Sequence, residues 1–160
     1  MNSAVLLLGT NIGNRSEALR IASQLIVKDA GPIVRKSPIY ETAPWGNTDQ
    51  APFLNQAMEI ETELFAAKLL KTLLQIEKEM GRLRLQKWEP RLIDIDILFY
   101  NSDIIKEADL TIPHPLLQER RFALVPLAEM MPTFIHPVFK SSIHDLLRLC
   151  IDQQQVKLYI

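Results

Sequence analysis

Apolar and polar positions along this chain fall into two alternating rhythms. Val5 to Leu8 is a short apolar run ending at Gly9, the mark of a buried strand. Asn14 followed by Glu17 marks a helix start, and Ala18, Leu19, Ala22, Leu25 and Ile26 then repeat at helical spacing. Gly31-Pro32 ends that helix. Ile33 to Tyr40 reads as a strand, with Pro38 placing it at an edge or in a bulge. Residues 41–53 hold Pro, Gly, Asn and Asp and read as a loop. In the next segment Leu54, Gln56, Met58 and Ile60 alternate with Asn55, Ala57 and Glu59, a strand pattern. Leu64 to Met80 is the strongest helix, with Ala66, Leu69, Leu70, Leu73, Leu74 and Met80 along one side and Gly81 closing it. A charged loop follows over 82–91, then a strand over Leu92 to Tyr100. The remainder reads as short strands, Pro-punctuated turns and helices near 116–130 and 142–151. Several strands are joined too closely for parallel crossovers. The pattern therefore predicts an α+β sandwich, ferredoxin-like, with a mainly antiparallel sheet and flanking helices.

Composition narrows the class. A chain of 160 residues, 48% hydrophobic, can bury a substantial core and is expected to form one domain over 1–160. A formal net charge of −1 argues against a general nucleic-acid or membrane surface. The N-terminal apolar run is too short for a secretory signal or a membrane span. Cys150 is the only cysteine, so no disulfide forms within the chain and a thiolate zinc site is disfavoured. These features lead us to expect a cytoplasmic monomer with no nucleic-acid or membrane partner.

Candidate chemistry concentrates between residues 77 and 122. Alternate residues of a strand share a face, so Ile93, Ile95 and Ile97 point one way and Asp94 and Asp96 the other. Two carboxylates about 6.8 Å apart along a strand can grip hard cations, and magnesium takes one or two carboxylates with water and phosphate oxygens. A solvated edge strand is the bland alternative. The expected placement of Leu92, Leu98 and Tyr100 on the same face weighs against it, because bare carboxylates on an apolar face need a purpose. Just upstream, Arg82, Arg84, Lys87 and Arg91 concentrate positive charge around Trp88, and arginine forks match phosphate oxygens. Cations beside an acid pair point to a polyphosphate ligand. Glu77 borders the apolar side of its helix, either at the frayed end of the stripe or as a hydrogen-bonding contact for a ligand. His114 is held between two prolines, with Arg120, Arg121 and Phe122 shortly after. His136 and His144 read as structural. Gly9 to Gly13 lacks the spacing and lysine of a Walker A loop and reads as a strand-to-helix turn.

In order, the chain shows LGTNIGNR, YETAPWG with FLNQA, GR-x-R, W-x-PR-x-x-D-x-D and PHP-x-x-x-ER-x-F. This series resembles the 6-hydroxymethyl-7,8-dihydropterin pyrophosphokinase family of folate biosynthesis from about residue 5 to about residue 137. The resemblance implies a ferredoxin-like fold and transfer of the β,γ-pyrophosphoryl unit of ATP to the pterin hydroxymethyl oxygen, releasing AMP. It implies that Asp94 and Asp96 hold two magnesium ions and that Arg82 and Arg91 act on the triphosphate. It places Glu77, Arg84, Trp88, Arg91, Ile97, Thr111, His114 and Arg120 at ATP-site positions. It places Thr42, Ala43, Pro44, Trp45, Phe53, Asn55 and Phe122 at pterin-site positions, with the pterin ring between Trp45 and Phe122. Glu89 stands where the family has a small residue, and Phe53 where some relatives carry tyrosine.

Three other classes share parts of this pattern. A nucleotidyltransferase would release pyrophosphate and carry a Gly-Ser turn before its first helix, which this sequence lacks. An RNA-binding module would show exposed aromatics on central strands and a basic balance. A non-catalytic interaction domain would leave the acid pair and the arginine cluster without a purpose.

Overall fold

The structure is a computed structural model that describes residues 1–44, 49–81 and 92–160, together with the backbone of Arg82. Strand β1 (Asn2–Thr10) leads to helix α1 (Arg15–Asp29), then β2 (Ile33–Lys36), β3 (Tyr40–Thr42) and β4 (Phe53–Thr62). Helix α2 (Ala66–Arg82) precedes β5 (Asp94–Tyr100), and a two-stranded ribbon, β6 (Ile105–Lys106) and β7 (Thr111–Ile112), follows. A 3-10 turn (Leu117–Glu119) runs into α3 (Arg121–Met130), and α4 (Ile143–Leu149) and β8 (Val156–Leu158) complete the order. The main sheet runs β5-β1-β4-β3-β8, with β2 also on β4, and its described pairings are antiparallel. This is the ferredoxin-like α+β arrangement expected from the sequence, with helices on both faces of the sheet.

Two cores follow from the period-2 alternation of β1. Ala4, Leu6 and Leu8 point into a cluster with Ala18, Leu19, Ala22 and Ile26 of α1 and Leu69, Leu73, Ile76 and Met80 of α2. Val5 and Leu7 point the other way, onto Leu124 and Leu127 of α3 and Ile143 and Leu146 of α4. At about 1.5–3 kcal/mol for each fully buried aliphatic side chain, both layers contribute to stability. The Asn14 side chain caps α1 by accepting from Glu17 N at 3.2 Å.

Several boundaries and faces differ from the sequence pattern. Ile33 to Tyr40 is two strands, because Pro38 has no N–H to give the ladder. Ser37 bridges the break, donating its N–H to Ala57 O at 2.9 Å and accepting from Ala57 N on Oγ at 3.0 Å. The buried stripe of α2 runs through Ala66, Leu69, Leu73, Ile76, Glu77 and Met80, whereas Leu74 is 47% exposed. Gly9 lies inside β1 and is not part of the turn.

The face of β5 is also corrected. Asp94, Asp96 and Leu98 share one side, but Leu92 and Tyr100 lie on the other, in the α1–α2 core. Leu92 precedes the strand, so alternation does not govern it. Val5 pairs with Phe99 while Leu6 pairs with Ile97, so Leu98 is an extra residue on β5. That bulge turns both Leu98 and Phe99 onto the α3–α4 side and sends Tyr100 back to the opposite face.

Candidate active site

Among the described residues, the α3–α4 face of the sheet does not close at one end. There Gly9 stands next to Asp94 on one side and Asn55 on the other, and Leu7 stands between Asp96 and Ala57. These small or short residues leave a cavity of about 750 Å³ above the sheet, a size typical of small-molecule sites. Asp94, Asp96, Gly9, Leu7 and Asn55 form its floor, and Thr42, Ala43 and Phe53 line it from the β3–β4 end. Leu116, Glu119, Arg120 and Phe122 make one wall, and Ile151, Asp152 and Gln154 another.

Asp94 is exposed and Asp96 half-buried, and both line the cavity from one face of β5. Carboxylate oxygens are hard donors that suit magnesium, which completes its shell with water and phosphate. Among the described residues no group of three or more His, Cys, Asp or Glu could cage an ion. Two carboxylates are a donor set that magnesium takes when water and phosphate complete its shell. Arg120 brings positive charge to the same cavity, its guanidinium carbon 5.7 Å from the centre of the Phe122 ring.

Asn55 is 4% exposed and donates from Nδ2 to Leu8 O at 3.3 Å, which lays its amide across β1. Thr42 is 3% exposed, and its Oγ1 has no hydrogen-bond partner among the described residues. A buried hydroxyl in that condition costs free energy until something supplies the bond.

The other ATP-site candidates gather where β5 meets α2 and β7. Glu77 is buried at 5% exposure on the core stripe of α2, not at a frayed end. Ile97 lies on the face of β5 opposite the acid pair, in the core that also holds Ile112, and does not line the cavity. Thr111 is exposed on β7. His114 joins the two groups: its N–H bonds Leu98 O at 3.0 Å and its Nδ1 accepts from Leu116 N at 3.2 Å. Burial pushes the His114 imidazole below its ordinary value, Asp96 pulls it up, and Arg120 pushes it down. The histidine therefore feels both Asp96 and Arg120. Pro44 is half-buried after β3. Trp45, Arg84, Lys87, Trp88, Glu89, Arg91 and the Arg82 side chain lie outside the described residues.

Sequence reasoning missed Gly9, Glu119 and the wall at 151–154. Glu119 was present in the ER pair of the last motif, and Gly9 in the first. Residues 151–154 carry no periodic or motif signal.

A ferredoxin-like sheet brings an acid pair and an arginine to one cavity, chemistry that suits a phosphorylated ligand. The chain belongs to the 7,8-dihydro-6-hydroxymethylpterin-pyrophosphokinase (HPPK) family, whose description matches residues 5–132. It is 48% identical over 130 residues to the 2-amino-4-hydroxy-6-hydroxymethyldihydropteridine pyrophosphokinase of Bacillus subtilis, covering 81% of this chain and 78% of that one. It is 37% identical over 159 residues to the enzyme of the same name from Haemophilus influenzae, covering 99% of each. A crystal structure of Plasmodium falciparum HPPK-DHPS shares the fold over 92% of this chain, with a TM-score of 0.74 at 20% identity. This chain spans 42% of the length of that one. Family membership makes the chain a pyrophosphokinase of folate biosynthesis and sets aside the nucleotidyltransferase and non-catalytic readings. No helix among the described residues is long and apolar enough to cross a membrane.

Proposed function

We propose that this chain transfers the β,γ-pyrophosphoryl unit of ATP to the hydroxymethyl oxygen of 6-hydroxymethyl-7,8-dihydropterin, as one catalytic domain over 1–160. The observation that carries the reading is the row Asp94, Gly9, Asn55 across three neighbouring strands. It sets the acid pair beside a buried amide at one cavity, so a phosphate-binding end and a ring-binding end meet on one floor.

Asp94 and Asp96 would hold two magnesium ions with the triphosphate. Bound there, the metal supplies charge neutralisation on the phosphate oxygens. Arg120, with Arg82, Arg84 and Arg91, adds positive charge that matches the oxygens geometrically. Phe53 and Phe122 offer apolar surface to a flat ring, with Ala43, Pro44 and Trp45 assigned to the same end. Asn55 and the Thr42 hydroxyl, which has no partner among the described residues, address its polar edge. Glu77, Ile97, Thr111, His114 and Trp88 are assigned to the nucleoside end. The hydroxymethyl oxygen forms a bond to the β-phosphorus while the bond to the α-phosphate bridge breaks, and AMP leaves. No dedicated general base is required for the hydroxymethyl proton: Asp96, or coordination of the alcohol at the metal, would suffice. Such transfers depend mainly on positioning and charge stabilisation, which this constellation supplies. The reading includes a monomer acting in the cytoplasm.

The test is the nucleotide product. ATP, Mg²⁺ and the dihydropterin alcohol should give AMP and pterin pyrophosphate in equal amounts, resolved by chromatography. ADP, or free pyrophosphate, as the nucleotide-derived product would overturn the proposal.

A further inference from the structure

The C-terminal residues form a strap that touches both halves of the cavity rim. β8 pairs with β3, setting Val156 opposite Thr42 and Lys157 opposite Glu41. Tyr159 N continues the ladder to Ile39 O at 2.9 Å. Ahead of that strand, Gln154 donates from Nε2 to Ala43 O, where β3 ends. Asp152 turns to the opposite wall. Its Oδ2 accepts from Arg121 N at 3.2 Å, and its Oδ1 accepts from Gln154 N at 2.9 Å.

The Asp152 contact serves a specific need. Helix α3 starts at Arg121, and its N-cap residue, Arg120, provides no side-chain cap. The first N–H groups of a helix require an acceptor, and a carboxylate there also meets the positive end of the helix dipole. Asp152 supplies that carboxylate from 31 residues away. The next residue of the helix is Phe122, which lines the cavity.

We propose that residues 151–158 act as a positioning element for the pterin end of the site. Asp152 holds the start of α3, and so Phe122, while Gln154 holds the end of β3, and so Thr42 and Ala43. The strap sets the separation of the two rims between which a flat ring must fit. It lies beyond residues 5–132, the stretch matched by the family description. The inference rests on the reading of this cavity as the pterin site. Asp152 and Gln154 are positioning residues acting through Phe122, Thr42 and Ala43.

The test uses the full chain with Asp152→Ala, Gln154→Ala and Asp152→Asn. Calorimetry measures binding of the dihydropterin alcohol and, separately, of a non-hydrolysable ATP analogue with Mg²⁺. Each alanine variant should weaken pterin binding about tenfold, the scale of one lost charge-assisted or buried hydrogen bond. The ATP analogue should bind within about twofold of wild type, since a uniform change in affinity is not expected from one rim. In turnover, pterin KM should rise with kcat little changed. Asp152→Asn, which keeps one of the two acceptor oxygens that Asp152 uses, should recover part of the lost affinity. Gln154→Ala tests the idea independently should Asp152→Ala fold poorly. Folded variants with unchanged pterin affinity, or with both ligands weakened alike, would overturn the strap proposal alone. A wild-type chain that binds no pterin would overturn the reading of the cavity and the strap with it.

Discussion

Gly9 and Asn55 face each other across β1 and β4, and a Cβ built on Gly9 would stand 2.6 Å from Asn55 Nδ2. A Cβ there would displace the end of the Asn55 side chain, not backbone. The glycine lets the Asn55 amide lie over β1 beside Asp94 and bond Leu8 O. Gly9→Ala should push the amide out of place at little cost to stability, because the only atom met closely is the end of the Asn55 side chain. Pterin KM should rise about tenfold, with ATP KM unchanged, because one oriented hydrogen-bonding group is lost. Thermal unfolding and two-substrate kinetics check this; an unchanged pterin KM would mean that Asn55 does not address the pterin.

Thr42→Val should separate stability from function. Valine keeps the shape of threonine but removes the buried hydroxyl, whose oxygen has no partner among the described residues. The ligand-free protein should therefore unfold at the same or a higher temperature. Pterin affinity should fall about fivefold to tenfold, as for one lost hydrogen bond. A loss of stability without a loss of affinity would show that the hydroxyl serves the fold.

Asp94→Asn and Asp96→Asn should each lower kcat on the order of 10³-fold, the scale of losing organised charge at a reacting phosphate. Asp94 is exposed and Asp96 half-buried, so the fold should survive a carboxamide of the same shape. Circular dichroism and a magnesium titration of turnover check both points. Near-normal turnover at low magnesium would remove that carboxylate from the metal site.

Stability should fall with acid through His136. Its Nδ1 accepts from Val138 N and Phe139 N, both at 3.1 Å, and burial holds the imidazole below its ordinary value of 6.5. A proton on Nδ1 would set N–H against two N–H donors. Below about pH 6.5 the unfolded chain therefore takes up a proton that the folded chain refuses. The stability contributed by neutral His136 is complete above that pH and is lost as pH falls toward the lowered folded value. His114 adds to the same trend, because its imidazole is also held down by burial. His136→Asn keeps an acceptor without titrating, so denaturant unfolding between pH 7 and pH 5 should show a shallower slope. An unchanged slope would place the effect elsewhere.

Much of this architecture was legible in the chain. The alternation from Leu54 to Ile60 put Asn55 and Ala57 on one face and Met58 and Ile60 on the other, as the two cores show. Asn14 and Glu17 marked the start of α1. Asp94 and Asp96 share a face because a strand of period 2 leaves them no other choice. The motif order around them was enough to name the family.

Other features were decided only when distant segments met. The bulge at Leu98 arises in pairing with β1, so residues 92–100 alone could not show that Tyr100 turns to the opposite core. Glu77 is buried because β5 and β1 set which side of α2 faces inward, a choice that helical period alone does not make. The strap has no signature, since Gln154 and Ala43 are 111 residues apart and nothing in either segment encodes their contact. Periodicity is a property of neighbouring residues and is written locally. Register, bulges and the closure of a cavity depend on which strands pair and which helices cover them, and those contacts exist only in the folded chain.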